Sequence, residues 1–244
     1  MSTFWIALGL SLLGGLGGLL IASGVLLIHD SLRARLIPWL VSYAVGALLG
    51  ISMMGLLPES LNDLSPAQVF GTLLGGIMLF FVLEKLVLWR HCHTHDCEVH
   101  ESTVASVMIG DTFHNFVDGA VIGAAVLTSI PLGVSTAIAV AAHEIPQEIG
   151  DFAILLHAGY SRRRALLLNV LSALASVAGA MGTFLAFDLV PRTLPYFLVI
   201  AASSFLYVAM ADLIPGLHRG RTDASSLRQI VLIALGIFTM VWFS

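Results

Sequence analysis

Long apolar runs separated by short polar connections dominate the chain. Eight such runs, over residues 4–28, 36–57, 69–89, 103–130, 132–157, 165–187, 194–217 and 227–243, have the length that an α-helix needs to cross a bilayer core, roughly 17–25 residues. The pattern predicts an all-α, polytopic membrane protein with eight transmembrane helices. The connections leave no room for a soluble domain, so residues 1–244 read as a single membrane domain. The first run has no basic residue before it and is too long for the apolar core of a cleavable leader, so it is expected to stay in the membrane.

Composition narrows the class. Only 11% of the residues are charged and 58% are apolar, against about 25% charged in an ordinary soluble domain. That excludes a cytosolic enzyme and a disordered chain. With 11 Lys and Arg against 15 Asp and Glu, the chain also lacks the basic footprint of a nucleic-acid binder. The positive charges alternate between sides. Arg33, Arg35, Lys85, Arg90, Arg162, Arg163, Arg164, Arg219, Arg221 and Arg228 fall on the odd-numbered connections, and only Arg192 falls opposite. Positive residues mark the cytoplasmic side, so a multi-pass protein of the inner or plasma membrane is expected, with both termini outside the cytoplasm. The fourth span then runs outward and the fifth inward.

Ionisable groups at membrane depth are costly and mark functional sites by default. The fourth span carries Asp111, His114, Asn115 and Asp118, with His114 and Asp118 on one helical face. The fifth carries His143, Glu144, Gln147, Glu148 and Asp151. His114-Asn115-x-x-Asp118 and His143-Glu144-x-x-Gln147 match in chemistry, lie 29 residues apart and sit on oppositely running spans. An inverted repeat with polar groups at its midplane is a transporter pattern. The alternative is a polar network that only fastens helices together.

Imidazole with carboxylate suits Zn²⁺, Fe²⁺ or Mn²⁺, and the spans hold no thiolate for Cu(I). Pro146 cannot donate to the carbonyl of Ala142, so it frees an oxygen and predicts a kink beside His143. No G-x-x-x-x-G-K-[ST] loop is present, so ATP is not expected to drive movement directly.

The segments His114-Asn115-Phe116-Val117-Asp118-Gly119 and His143-Glu144-Ile145-Pro146-Gln147-Glu148-Ile149-Gly150-Asp151 resemble the paired signatures of the ZIP metal transporters. They are most similar to the subfamily whose fifth span reads His-Glu-x-Pro-His-Glu-x-Gly-Asp. Leu56-Leu57-Pro58-Glu59, Phe81-Val82-Leu83-Glu84-Lys85 and Ser204-Phe205-Leu206-Tyr207-Val208-Ala209 look like further landmarks. The resemblance implies eight helices, outward termini, and a metal site between spans four and five lined by His114, Asn115, Asp118, His143, Glu144 and Gln147. It implies transport of divalent ions into the cytoplasm and no catalysis. Three departures stand out: Gln147 where the subfamily has histidine, Ser176 where two-metal members place glutamate, and Gly216 where an acidic residue follows the span-seven proline. Fewer charged ligands favour one metal at a time in that centre, Zn²⁺ first, with Fe²⁺ or Mn²⁺ as weaker substrates.

The third connection, residues 91–101, holds four histidines and two cysteines, Cys92 and Cys97. It reads either as a cytosolic acceptor or sensor for metal or as a solvated polar loop. Glu59 and Asp63 are expected on the outer rim, and Glu84, His157, Asp212 and His218 on the inner side. The rival class is an intramembrane zinc hydrolase, because His143-Glu144 opens like H-E-x-x-H; Gln147 stands where the second histidine is required. No prosthetic group is expected. The partners expected are divalent metal ions and the lipid bilayer, with a homodimer left open and nucleic acid excluded.

Overall fold

The structure is a computed structural model that describes residues 2–91, 99–187, 191–217 and 224–243. Among the described residues, the regular elements are all helical. They form eight rods: α1 (Ser2–Leu26), α2 (residues 30–60), α3 (Pro66–His91), α4 (Val99–Thr128), α5 (Ile130–His157), α6 (residues 162–187), α7 (Leu194–Leu217) and α8 (Ala224–Phe243). Six of them are long and apolar enough to cross a membrane. The other two, α4 and α5, have the length but carry the polar residues singled out above, which lower their apolarity.

The helices fall into two groups. In the first, α4 packs along α6 and α5, and α1 packs along α5, α4 and α6. In the second, α2 packs along α8, and α3 along α7. The α2–α5 contact joins the groups, around an apolar core that includes Leu48, Ile51, Val121, Ile122, Val140, Leu198 and Phe205. Glycines permit the tightest crossings. A Cβ at Gly119 or Gly179 would strike the backbone of Ser176 or Phe116 across the α4–α6 contact. Gly46 and Gly236 do the same for α2 and α8, against Ile233 and Tyr43. Large apolar side chains such as Leu20, Leu74, Ile109, Leu185 and Trp242 cover the outside, as a lipid-facing surface requires.

Three rods depart from the uniform helices expected. In α2 the segment Ile51–Leu56 is π-helical, and in α7 Val208–Leu213 is. Each π segment ends two residues before a proline, Pro58 and Pro215. A proline ring displaces the carbonyl four residues back, and a wide turn absorbs that displacement. The third departure is α6, which breaks at Leu174 into Arg162–Ala173 and Ala175–Phe187. There Val177 N–H bonds the Leu174 carbonyl, and the Ser176 hydroxyl bonds the Ala173 carbonyl at 2.8 Å, competing with the helix ladder. By contrast α5 is continuous through Pro146. α4 is already helical at Val99, four residues before the apolar run begins.

The α4–α5 turn sets the level of the polar residues. Ser129 alone separates the two helices, and its hydroxyl accepts from Leu132 N–H to cap α5, with Pro131 in the first turn. His114 lies 15 residues before Ser129 and His143 lies 14 after it, so both sit about 20 Å from the turn. Asp111 and Gln147, each 18 residues from Ser129, are level with each other in the same way.

Candidate metal centre

The antiparallel α4–α5 pair brings both imidazoles to one point: His114 Nε2 and His143 Nε2 are 3.1 Å apart. Asp118, one turn from His114, reaches the same point with Oδ2 2.9 Å from His143 Nε2 and 3.7 Å from His114 Nε2. Glu144 Oε1 is 3.7 Å from His114 Nε2 and 3.9 Å from His143 Nε2. All four ligand atoms lie within 4.8 Å of one another. Ligands around a tetrahedral ion at about 2.0–2.2 Å are separated by roughly 3.3–3.6 Å, which these spacings straddle.

The surroundings orient the ligands. His143 Nδ1 is 3.0 Å from the Ala139 carbonyl. Donation to that oxygen puts the proton on Nδ1 and leaves the Nε2 lone pair facing the cluster, as a ligating histidine needs. The ring also packs edge-on against Phe205 of α7, with centroids 5.8 Å apart. His143, Asp118 and Glu144 are at most 1% exposed, whereas His114 is 18% exposed and forms the open side. The oxygens of Asp118 and Glu144 have no hydrogen-bond donor among the described residues. A lone pair and two carboxylates converging in a buried space repel one another unless something positive lies between them.

Asn115 and Gln147 stand elsewhere in this arrangement. The Asn115 amide donates to Asp111 Oδ1 at 3.1 Å and to the Asp111 carbonyl at 3.3 Å, and the Gln147 amide donates to Asp111 Oδ1 at 3.2 Å. Together they form a shelf beside the four-ligand cluster. Asp111, Glu148 and Asp151 are also buried; the sequence marks them as membrane-depth polar groups without assigning them to the centre.

Elsewhere, the Tyr207 hydroxyl donates to Glu84. Glu59 and Asp63 line a cavity of about 580 Å³ with Thr128 and Arg192. The histidine- and cysteine-rich connection falls on residues 92–98, and these, like His218, lie outside the described residues.

The family described as "ZIP Zinc transporter" matches residues 89–244. The chain is 33% identical over 222 residues to zinc transporter ZIP13 of Pongo abelii, covering 84% of this chain and 66% of that protein. It is 45% identical over 115 residues to human zinc transporter ZIP4, covering 47% of this chain and 18% of that protein. It is 41% identical over 133 residues to zinc transporter ZIP10 of Danio rerio, covering 52% and 16%. The chain thus spans about two thirds of the first relative and under a fifth of the other two. All three are named as zinc transporters, which gives the hydrolase alternative no support. The match over most of the chain shows that it belongs to the ZIP zinc transporter family.

Proposed function

We propose that this protein carries divalent metal ions, zinc first, across the membrane and into the cytoplasm through a midplane centre formed by His114, Asp118, His143 and Glu144. The observation that carries this reading is the convergence of two imidazole nitrogens and two carboxylate oxygens in a buried space. The amides of Asn115 and Gln147 hold Asp111 beside the centre rather than supplying ligands to it. The basic residues put the α6 start, with Arg162–Arg164, on the cytoplasmic side and both termini outside. An ion entering from the Glu59–Asp63 side meets the centre and leaves on the other. The two helix groups supply the parts for alternating access, one group rocking against the other. Two imidazoles favour a borderline ion such as Zn²⁺ over the harder Mn²⁺, and Fe²⁺ lies between.

Proteoliposomes containing the purified protein and an internal zinc indicator test the reading, with peptide and lipid hydrolysis measured in parallel. Saturable Zn²⁺ entry without hydrolysis is expected. Hydrolysis without entry contradicts the carrier reading.

Two further outcomes follow from the ligand chemistry. Protons compete with metal for imidazole and carboxylate, so Zn²⁺ entry should fall several-fold as the external pH drops from 7.5 to 5.5. A rise over that range shows proton-driven transport instead. Gln147→His adds an imidazole beside the centre; it should lower the half-saturating Zn²⁺ concentration and the maximal rate together, because a tighter site releases more slowly.

A further inference from the structure

The starts of α2 and α8 and the end of α7 enclose a cavity of about 530 Å³, within the roughly 300–1,000 Å³ usual for small-molecule sites. It shares no residue with the histidine centre. Close packing fixes how the three ends meet. A Cβ at Gly46 would strike Ile233, and one at Gly50 would meet Ile237 and Met240, so α2 and α8 run parallel and start on one face of the protein. The basic residues mark that face as cytoplasmic.

Two guanidiniums line the cavity, Arg35 of α2 and Arg228 of α8, together with Gln229. Asp212 of α7 is the one carboxylate among the described residues of the lining, which leaves a net positive charge. Arg35 directly precedes the apolar run of α2, and Arg228 lies at the start of that of α8. That is the depth at which lipid headgroups meet hydrocarbon. The Arg228 guanidinium stacks over the Trp39 ring, 5.0 Å from its centroid, which holds its plane and leaves its in-plane donors available. Trp39 itself is 39% exposed, in the manner of an aromatic anchor at a membrane interface. Ile37, Val41, Leu213 and Leu217 make the rest of the wall largely apolar.

We propose that this cavity binds the headgroup of an anionic phospholipid of the cytoplasmic leaflet, with Arg35 and Arg228 on its phosphate and the apolar wall against the start of its acyl chains. An arginine fork matches two phosphate oxygens. The cytoplasmic leaflet is the negatively charged one, and basic pockets between membrane helices take such headgroups. A zwitterionic headgroup brings its own cation against the two guanidiniums and binds more weakly. The lipid ties together α2, α7 and α8, all of the helix group that does not carry the histidines. The site rests on the sidedness given by the basic residues and not on the movement of metal.

Native mass spectrometry of the purified full-length protein, titrated with dioleoyl phosphatidylglycerol or dioleoyl phosphatidylcholine, tests the site. The wild type should hold one phosphatidylglycerol per chain more tightly than phosphatidylcholine. Arg35→Gln with Arg228→Gln should weaken that lipid about ten-fold or more, as loss of charge-assisted hydrogen bonds does, and leave phosphatidylcholine unchanged. Both side chains are exposed, and melting in lipid-free detergent verifies the fold. Gly216→Glu should also weaken phosphatidylglycerol, and Gly216→Gln should not, because Gly216 lines the cavity with nothing within 4 Å of an added Cβ. Arg164→Gln controls for general attraction to the basic face: its guanidinium stacks on Tyr160 at 4.5 Å but is no part of the lining, and its loss should change nothing. A double variant with wild-type affinity overturns the site. So does a loss in Arg164→Gln as large as in the double variant, since the face as a whole then attracts the lipid. Millimolar inorganic phosphate should not displace the lipid; displacement gives the cavity to a soluble anion and overturns the lipid. Each of these failures leaves Zn²⁺ entry, and so the carrier reading, untouched.

Discussion

His114→Ala and His143→Ala should each reduce Zn²⁺ uptake at least 100-fold while the protein reaches the membrane in near-normal amount. The size follows from ligand count. Each change removes one of only two nitrogen donors from a four-donor centre and leaves a buried carboxylate facing empty space. A 100-fold loss corresponds to about 2.7 kcal/mol, modest for a direct ligand when outer-shell partners alone typically give 10–100-fold. Folding should survive because the α4–α5 pair is held by the Ser129 turn and by apolar contacts around Val121, Ile122 and Val140. Uptake in cells, with surface labelling to count the protein, checks both halves of the expectation. Near-normal uptake by either variant would remove that histidine from the centre.

Gly119→Val should have the largest effect on stability. Any Cβ at Gly119 meets the Ser176 backbone, which cannot swing away as a side chain would. Valine adds two methyl groups to the same clash, and overpacking of this kind costs about 1–3 kcal/mol or more. The α4–α6 contact also fixes the level of Asp111 and Asp118, so detergent-stable protein and metal binding should be lost together. Gly17→Ala is the control: nothing lies within 4 Å of its added Cβ, and alanine in a helix is favoured over glycine by about 0.5–1 kcal/mol. Thermal melting in detergent should show a drop of many degrees, or no folded protein, for the valine variant and an unchanged or higher midpoint for the control.

Much of this was legible in the chain because depth in a membrane helix is close to a count of residues. The eight apolar runs return as eight rods, and the 29-residue offset between His114 and His143 becomes a shared level once Ser129 is the turn. What stayed hidden depends on direction rather than level. The resemblance puts Asn115 and Gln147 in the lining of the centre with the four ligands, but the sequence cannot show that both amides point at Asp111. The π segments of α2 and α7 follow from how a proline displaces the turn before it; an apolar window looks the same in either helix type. The break in α6 at Leu174 arises from Ser176 bonding back to the Ala173 carbonyl, a choice that a serine in an apolar run does not announce.

The central claim is that one buried point between α4 and α5 holds the transported ion. Anomalous diffraction at the zinc absorption edge, from crystals of the wild-type protein equilibrated with Zn²⁺, tests it most directly. The account predicts a peak at about 2.0–2.2 Å from His114 Nε2, His143 Nε2 and the facing oxygens of Asp118 and Glu144. Zinc bound elsewhere, with no anomalous density among these four side chains, would contradict it.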